Sequence, residues 1–411
     1  MDVVSPRCCG LDVHKREVVA CLLITGPEGA PTKAVRTFGT MTADILDLAD
    51  WLTHNEVSHV AMESTGVSWK PIWRLLEGRV DLVLVNARHV KAVPGRKTDV
   101  RDCEWLADLL RHGLLSGSFV PNRPQRELRE LTRYRASLVG ERTAEANRLQ
   151  KTLEGANIKL AAVATDILGK PGREMLAALV AGETDGAELA QLARGRLREK
   201  LPQLERALVG CVGPHQRFLI AQQLAHIDFL DQTIARVSDE IAERVRPDEA
   251  AIARLDTIPG VGRALAEALM AEIGANLTRF PTAKHLASWA GLCPGNDESA
   301  GKRRSGKTRK GSPWLRAGLV QAAHAAARTK GTYLAAPYRR SAARRGRAKA
   351  AVAVAHSILI IAYHLLTEET VYHDLGGNYF DERDRQGVAQ RLVHRLHHLG
   401  FAVTLVPPRA T

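Results

Sequence analysis

Four acidic side chains in the first quarter of the chain stand where acids are uncommon. Asp12 lies inside the apolar run "GLDVHK", and Glu63 closes the run "HVAMEST". Asp99 and Asp102 head the helical stretch "KTDVRDCEWLADLL". Leu106, Leu109 and Leu110 of that stretch form a helical stripe, and stepping back along it reaches Asp102 and then Asp99. An amphipathic helix normally turns its acids to water. Capping is one explanation, with Asp99 as N-cap and Asp102 at N3. Asp12 could likewise close a hairpin, and Glu63 could be a surface acid. The other explanation is convergence. Strand interiors and strand ends are expensive places for unpaired charge, and acids gathered there need a cation between them. Oxygen-only donors select hard cations, Mg²⁺ above all. Two Mg²⁺ about 3.5–4 Å apart can activate a nucleophile and stabilise a leaving oxygen at a phosphodiester.

A second constellation lies far along the chain. "ESAGKRRSGKTRKG" carries the hydroxyls of Ser299, Ser305 and Thr308 among Lys302, Arg303, Arg304, Lys307, Arg309 and Lys310. Such a loop can bind phosphates with its serines acting only as hydrogen-bond donors. Alternatively Ser299 is a nucleophile, with Lys302 and Arg303 stabilising charge on phosphorus. No histidine is adjacent, so His285 and His324 are the candidate bases. Upstream, "LDTIPGVGRALAEALMAEIG" reads as helix, Gly-Val-Gly turn, helix. That shape suits a helix-hairpin-helix in which Gly260 and Gly262 let backbone N–H groups approach a phosphate. A plain αα-hairpin has the same outline.

Charge placement points the same way. The 411 residues carry a net +13, yet from Ser299 to Thr367 there are fifteen Lys and Arg and no Asp or Glu, leaving 43 basic and 45 acidic residues elsewhere. A segment of one sign in a balanced protein suits a polyanion, nucleic acid before an acidic membrane surface. No apolar run is expected to span a membrane, and no leader is read at the N-terminus. Cys8, Cys9, Cys21, Cys103, Cys211 and Cys293 form no CxxC pairs, so neither zinc nor disulfides are indicated and a reducing cytoplasm fits.

These residues need elements to position them. Residues 7 to about 120 alternate between strand and helix: a hairpin turning at His14 and Lys15, then helix, strand, helix, the buried strand "VDLVLVNA" and the acid-headed helix. A mixed sheet with packed helices follows. From about Arg123 to Val245 the pattern is helical, and Ile227, Leu230, Ile234, Val237 and Ile241 form a coiled-coil seam. Such helices could pair within the chain or between chains. The resulting division is 1–120, 121–249 with a helical insert, a mainly α segment 250–369, and an appendage 370–411.

"GLDVHK", "AMESTGVSWKPIW", "VNARHVKAVPGRKTDVRDCEWLADLLRHGLL" and the stretch from "LDTIPGVG" to "SAGKRRSGKTRKGSPWLRAGL" resemble the DEDD transposases of the bacterial insertion-sequence 110 family. The resemblance implies an N-terminal RuvC-like domain of RNase H fold, with Asp12, Glu63, Asp99 and Asp102 binding two Mg²⁺. It implies a C-terminal domain whose serine, Ser299 here, links covalently to DNA. Family members exchange donor and target DNA strands under a bridge RNA, and work as dimers that assemble into tetramers. Many relatives read "SSG" where this chain reads "SAG", which leaves Ser299 as the nucleophile and Ser305 as the fallback. Two other activities share the same residues: a junction-resolving nuclease in which water attacks, and a non-catalytic nucleic-acid-binding protein.

Overall fold

The computed structural model describes residues 2–26, 30–64, 66–86, 102–295 and 297–406. Two compact units result, Met1–Asn122 and Arg123–Thr411. In the first, β1 (Arg7–Val13) and β2 (Glu17–Thr25) form an antiparallel hairpin, closed where the His14 amide donates to the Glu17 carbonyl at 2.9 Å. β3 (Pro31–Gly39) adds antiparallel to β2. After α1 (Thr42–His54), β4 (His59–Glu63) joins β1 in parallel; after α2 (Trp69–Leu76), β5 (Asp81–Val85) joins β4 in parallel. The order is β3-β2-β1-β4-β5, a mixed five-stranded sheet that fits an RNase H-like domain. α3 (Asp102–Arg111) completes the unit.

Period-two alternation divides the sheet's side chains between two faces. Leu11, Val18, Val60 and Met62 pack against Ile45, Leu48 and Leu52 of α1 and Ile72 and Leu76 of α2. Each such buried side chain contributes about 1.5–3 kcal/mol. Cys8, Cys21 and Ala61 face the other way, onto Cys103, Ala107 and Leu110 of α3.

The second unit is mostly helical. α4 (Arg123–Gly155) and α5 (Pro214–Val245) lie antiparallel, since Glu127 meets Arg244 at 3.1 Å, Arg142 meets Asp231, and Glu145 meets His226 at 3.5 Å. The pairing is therefore made within the chain. Ile227, Leu230 and Ile241 of the expected seam are buried, while Ile234 and Val237 are half-buried. Leu149, Leu153 and Ile227 share a core with the insert's Met175, Leu176, Leu189 and Leu204. The opposite end contributes Leu128, Ile241 and Val245 to a separate core. That core holds α6 (Glu249–Asp256), α7 (Arg263–Ile273), α8 (Ala283–Trp289), α9 (Pro313–Arg328), α10 (Ala335–Arg345) and α11 (Arg347–Thr367). α11 corrects one expectation: by length and composition it could cross a membrane. Its Ala351, Val354, Ile358, Leu359 and Leu365 instead line this core, as in the interior helix of a folded domain. Two short helices, α12 (Tyr379–Arg383) and α13 (Arg385–His398), follow.

A buried ion-pair node ties α4 to α7. Arg135 donates to Glu267 at 2.6 Å, and Arg133 donates to both Glu272 oxygens at 2.8 and 3.0 Å. Arg129 donates to the Ala271 carbonyl at 2.9 Å, and burial lowers its guanidinium to about 10.

Candidate active site

Asp12 and Glu63 are adjacent across the sheet. β1 and β4 run parallel with Leu11 opposite Met62, so the next residue on each strand is the acid. Both acids share the parity of Gly10 and Ala61, which places them on the α3 face. α3 runs antiparallel to β1: Ala107 accepts from the Cys8 thiol at 3.5 Å, and Arg111 accepts from the amides of Val4 and Ser5 at 2.9 and 3.1 Å. Its first residue, Asp102, therefore falls at the sheet end that holds the two acids. Leu106 and Leu109, in line with Asp102, pack on Val85, and Val85 is the register partner of Glu63. The Cys103 thiol reports the same proximity: burial first, then the Asp12 charge, push it up to about 11.

Gly10 sets how close α3 comes. A Cβ there would meet the Cys103 carbonyl oxygen at 2.2 Å and the Ala107 nitrogen at 2.6 Å. Only glycine lets the helix backbone rest on β1 at this point. The carboxylates themselves are partly occupied: Asp12 Oδ2 lies 3.2 Å from His14 Nε2. Among the described residues no group of three or more His, Cys, Asp or Glu is drawn together tightly enough to hold a metal ion. Asp99 lies outside the described residues.

The basic loop is a hairpin. β6 (Asp297–Ser299) pairs antiparallel with β7 (Lys302–Ser305), Ser299 opposite Lys302. Ala300 and Gly301 make the turn at φ 51° and 71°. Positive φ at both central positions matches the twist of a tight hairpin, and an alanine there costs about 1–2 kcal/mol. Ser299 thus ends a strand at the rim of a strained turn, with Arg303 and Arg304 on the returning strand. Lys302, Lys307, Arg309 and Lys310 are exposed. The Ser305 hydroxyl accepts from the Lys307 amide at 3.2 Å. His285 bonds Thr282 Oγ1 at 2.9 Å and His324 bonds the Tyr338 hydroxyl at 3.1 Å, so each candidate base has a local partner.

Three features that anchor this hairpin escaped the sequence reading. A Cβ on Gly291 would meet the Gly311 nitrogen at 2.6 Å, and one on Gly311 would meet the Ala290 carbonyl oxygen at 2.3 Å. The two backbones touch and close the loop's base. Arg316 of α9 then donates to Thr308 Oγ1 at 2.6 Å and to the Gly291 carbonyl at 3.3 Å. Isolated glycines carry no period, which is why the pattern missed them. Gly260 and Gly262, between α6 and α7, separate in role. Gly260 sits at φ 87° with its Cα against α9, where a Cβ would meet the Ala322 carbonyl oxygen at 2.3 Å, whereas Gly262 faces open space.

The chain thus combines a mixed sheet with two acids at adjacent strand ends and a helical unit bearing a basic hairpin. Residues 9–158 match a transposase family model of the IS110 DEDD type, and residues 252–339 match the model described as the transposase IS116/IS110/IS902 family. The chain belongs to this IS110-type transposase family. It is 28% identical over 231 residues to an uncharacterised 43.6 kDa protein of insertion element IS110 from Streptomyces coelicolor, covering 51% of this chain and 56% of the relative. It is 29% identical over 258 residues to an uncharacterised 44.8 kDa protein of insertion element IS116 from Streptomyces clavuligerus, covering 55% and 62%. The matches thus span under two thirds of either relative's length.

Proposed function

We propose that this protein is a DNA recombinase of an insertion sequence, cleaving and rejoining donor and target strands. One observation carries the reading: Asp12, Glu63 and Asp102 come from three elements to the same face and the same end of the sheet. Together with Asp99 they form an all-oxygen donor set, the chemistry that suits Mg²⁺. These four would hold the metal, which when bound would polarise the phosphodiester and stabilise charge on the attacking and leaving oxygens. Asp12 and Glu63 are fixed by the sheet, and Asp102 by the close approach at Gly10.

Ser299 is the nucleophile in this reading. Its Oγ bonds to phosphorus as one ester P–O bond to a sugar breaks, and the proton lost from the serine hydroxyl ends on the departing sugar oxygen. A sugar hydroxyl of the second strand later displaces the serine by the reverse change. Lys302, Arg303, Arg304, Lys307, Arg309 and Lys310 supply positive charge for the phosphates, and the backbone at Gly260 and Gly262 adds N–H donors. Sequence choice rests with a guide RNA, so the protein itself need not read bases. Residues 1–120 carry the carboxylates, 121–249 the helical pair and insert, 250–369 the serine, and 370–411 the appendage. Dimers or tetramers bring carboxylates and serine of different copies to one phosphodiester.

The test uses full-length protein, a plasmid bearing the element's ends, and RNA transcribed from the element's non-coding flank. The wild type should give a covalent protein–DNA adduct on a denaturing gel. Ser299→Ala should abolish it, and Asp102→Asn should abolish all processing while leaving the circular-dichroism spectrum unchanged. Cleavage without an adduct would assign the chain to hydrolytic nucleases. Unchanged strand exchange in Asp102→Asn would leave the acids to capping and packing.

A further inference from the structure

Away from the hairpin, a second group of cations sits where ion pairing accounts for none of it and helix energetics for only half. α10 and α11 are joined by Gly346 alone, at φ 84°. Its amide donates to the Ala342 carbonyl at 3.0 Å and its carbonyl accepts from the Ala350 amide at 3.2 Å, so one residue closes one helix and opens the next. Arg344, Arg345, Arg347 and Lys349 surround this corner, all exposed. Among the described residues none of the four meets a carboxylate. Arg344 and Arg345 complement the negative end of α10. Arg347 and Lys349 oppose the positive end of α11, whose first turn contains no acid.

Several other exposed arginines of the same unit are paired. Arg194 meets Glu174 at 2.8 Å and Arg263 meets Glu249 at 2.6 Å. Even Arg340, one turn before the corner, is paired with Asp381 at 2.9 Å and covered by the Phe380 ring at 4.7 Å. Composition narrows the partner. From 340 to 349 the chain holds only Arg, Lys, Ser, Ala and Gly. A protein interface needs a large apolar or aromatic anchor, a membrane surface needs side chains to insert, and a single strand needs aromatic rings for its bases. The corner offers none of these. It offers charge, carried mainly by the guanidinium fork that matches a phosphate.

We infer that the α10–α11 corner is a second binding surface for a nucleic-acid duplex, gripping the phosphate backbone independently of base sequence. The inference rests on the reading of the chain as a nucleic-acid enzyme. One turn of each helix, about 5.4 Å apiece, spans enough duplex to present roughly six phosphate charges to four cations. The same phosphates occur on DNA and on a base-paired RNA stem.

The experiment is equilibrium binding of full-length protein to a DNA duplex and to an RNA duplex of equal length and sequence, across a salt series. The triple variant Arg344→Ala, Arg345→Ala, Arg347→Ala should lower the slope of log affinity against log salt by about 2.7 units, so that the wild type loses roughly 40-fold more affinity than the variant between about 50 and 200 mM salt. The corresponding Arg→Lys triple variant should retain the wild-type slope. A change confined to one duplex identifies that duplex as the ligand; a change on both identifies the backbone they share. An unchanged slope on both, or a Lys variant that behaves like the Ala variant, overturns the inference. A wild type with no salt-dependent binding would instead overturn the nucleic-acid reading itself.

Discussion

The substitution Gly10→Ala tests how the carboxylates are positioned. Gly10 lies in β1 between the buried Cys9 and Leu11, two residues before Asp12. An added methyl would stand 2.2 Å from the Cys103 carbonyl oxygen, 2.6 Å from the Ala107 nitrogen and 3.0 Å from the Leu106 Cβ. Two of these are backbone atoms inside a helix, so no rotamer change relieves them. Carbon atoms in folded proteins essentially never approach closer than 3.0 Å in this way, and the oxygen must retreat from 2.2 Å to at least that distance. α3 must therefore lift from the sheet by the better part of an ångström and carry Asp102 with it. Overpacking of this kind typically costs about 1–3 kcal/mol. A misplacement near 1 Å costs catalysis about 10²-fold even when the protein stays folded. Urea unfolding should show the stability loss, and adduct formation at a temperature where the variant is fully folded should show the larger catalytic loss. Gly26→Ala is the control, because a Cβ there meets nothing within 4 Å. A Gly10→Ala protein with wild-type stability and wild-type adduct yield would refute the claim that the α3 contact positions Asp102.

Two other perturbations follow from the buried groups. Glu267 is 3% exposed and accepts from Arg135, itself 8% exposed, so Glu267→Ala strands a buried guanidinium. The variant should lose about 3–5 kcal/mol in denaturant unfolding; a loss below about 1 kcal/mol would mean that water replaces the carboxylate at no cost. Burial pushes the thiols of Cys8 and Cys103 up to about 11 and that of Cys21 up to about 12, from an ordinary value of 9.0. The unfolded chain releases these protons first, so their contribution is complete below pH 9 and fades as pH rises through 11 to 12. Unfolding measured against pH should show an alkaline decline that is shallower in Cys21→Ala. Native alkylation at neutral pH should mark the exposed Cys211 and spare Cys8, Cys9, Cys21 and Cys103.

How far the sequence disclosed this architecture depends on which signals have a period. β1 and β4 were legible because central strands are apolar runs, the edge strand β5 because it keeps the β-branched run of "VDLVLVNA", and α3 because its stripe repeats every three or four residues. β3 was not expected. It is an edge strand that begins with proline and carries Lys33 and Arg36, and most of its residues are exposed. Those are the traits that protect an edge from further pairing, and they remove the alternation that marks a strand. The partner of the seam on α5 was likewise undecidable until the pairs Glu127–Arg244 and Arg142–Asp231 fixed it to α4.

The acids were legible for a thermodynamic reason. A carboxylate in line with an apolar stripe, or at the end of a buried strand, violates the rule that places charge in water, and violations concentrate where function compensates them. What the sequence could not supply was the order of strands. Asp12 and Glu63 are 51 positions apart in the chain and become neighbours only because β4 adds beside β1 and not beside β3. Had β4 joined the other edge, β1 and β4 would have been separated by two strands, with the same residues and the same local propensities. The parallel pairing of β4 with β1 is thus the single topological choice that turns scattered acids into a candidate site, setting Asp12 beside Glu63, and Gly10 is the residue that lets α3 bring Asp102 down toward them.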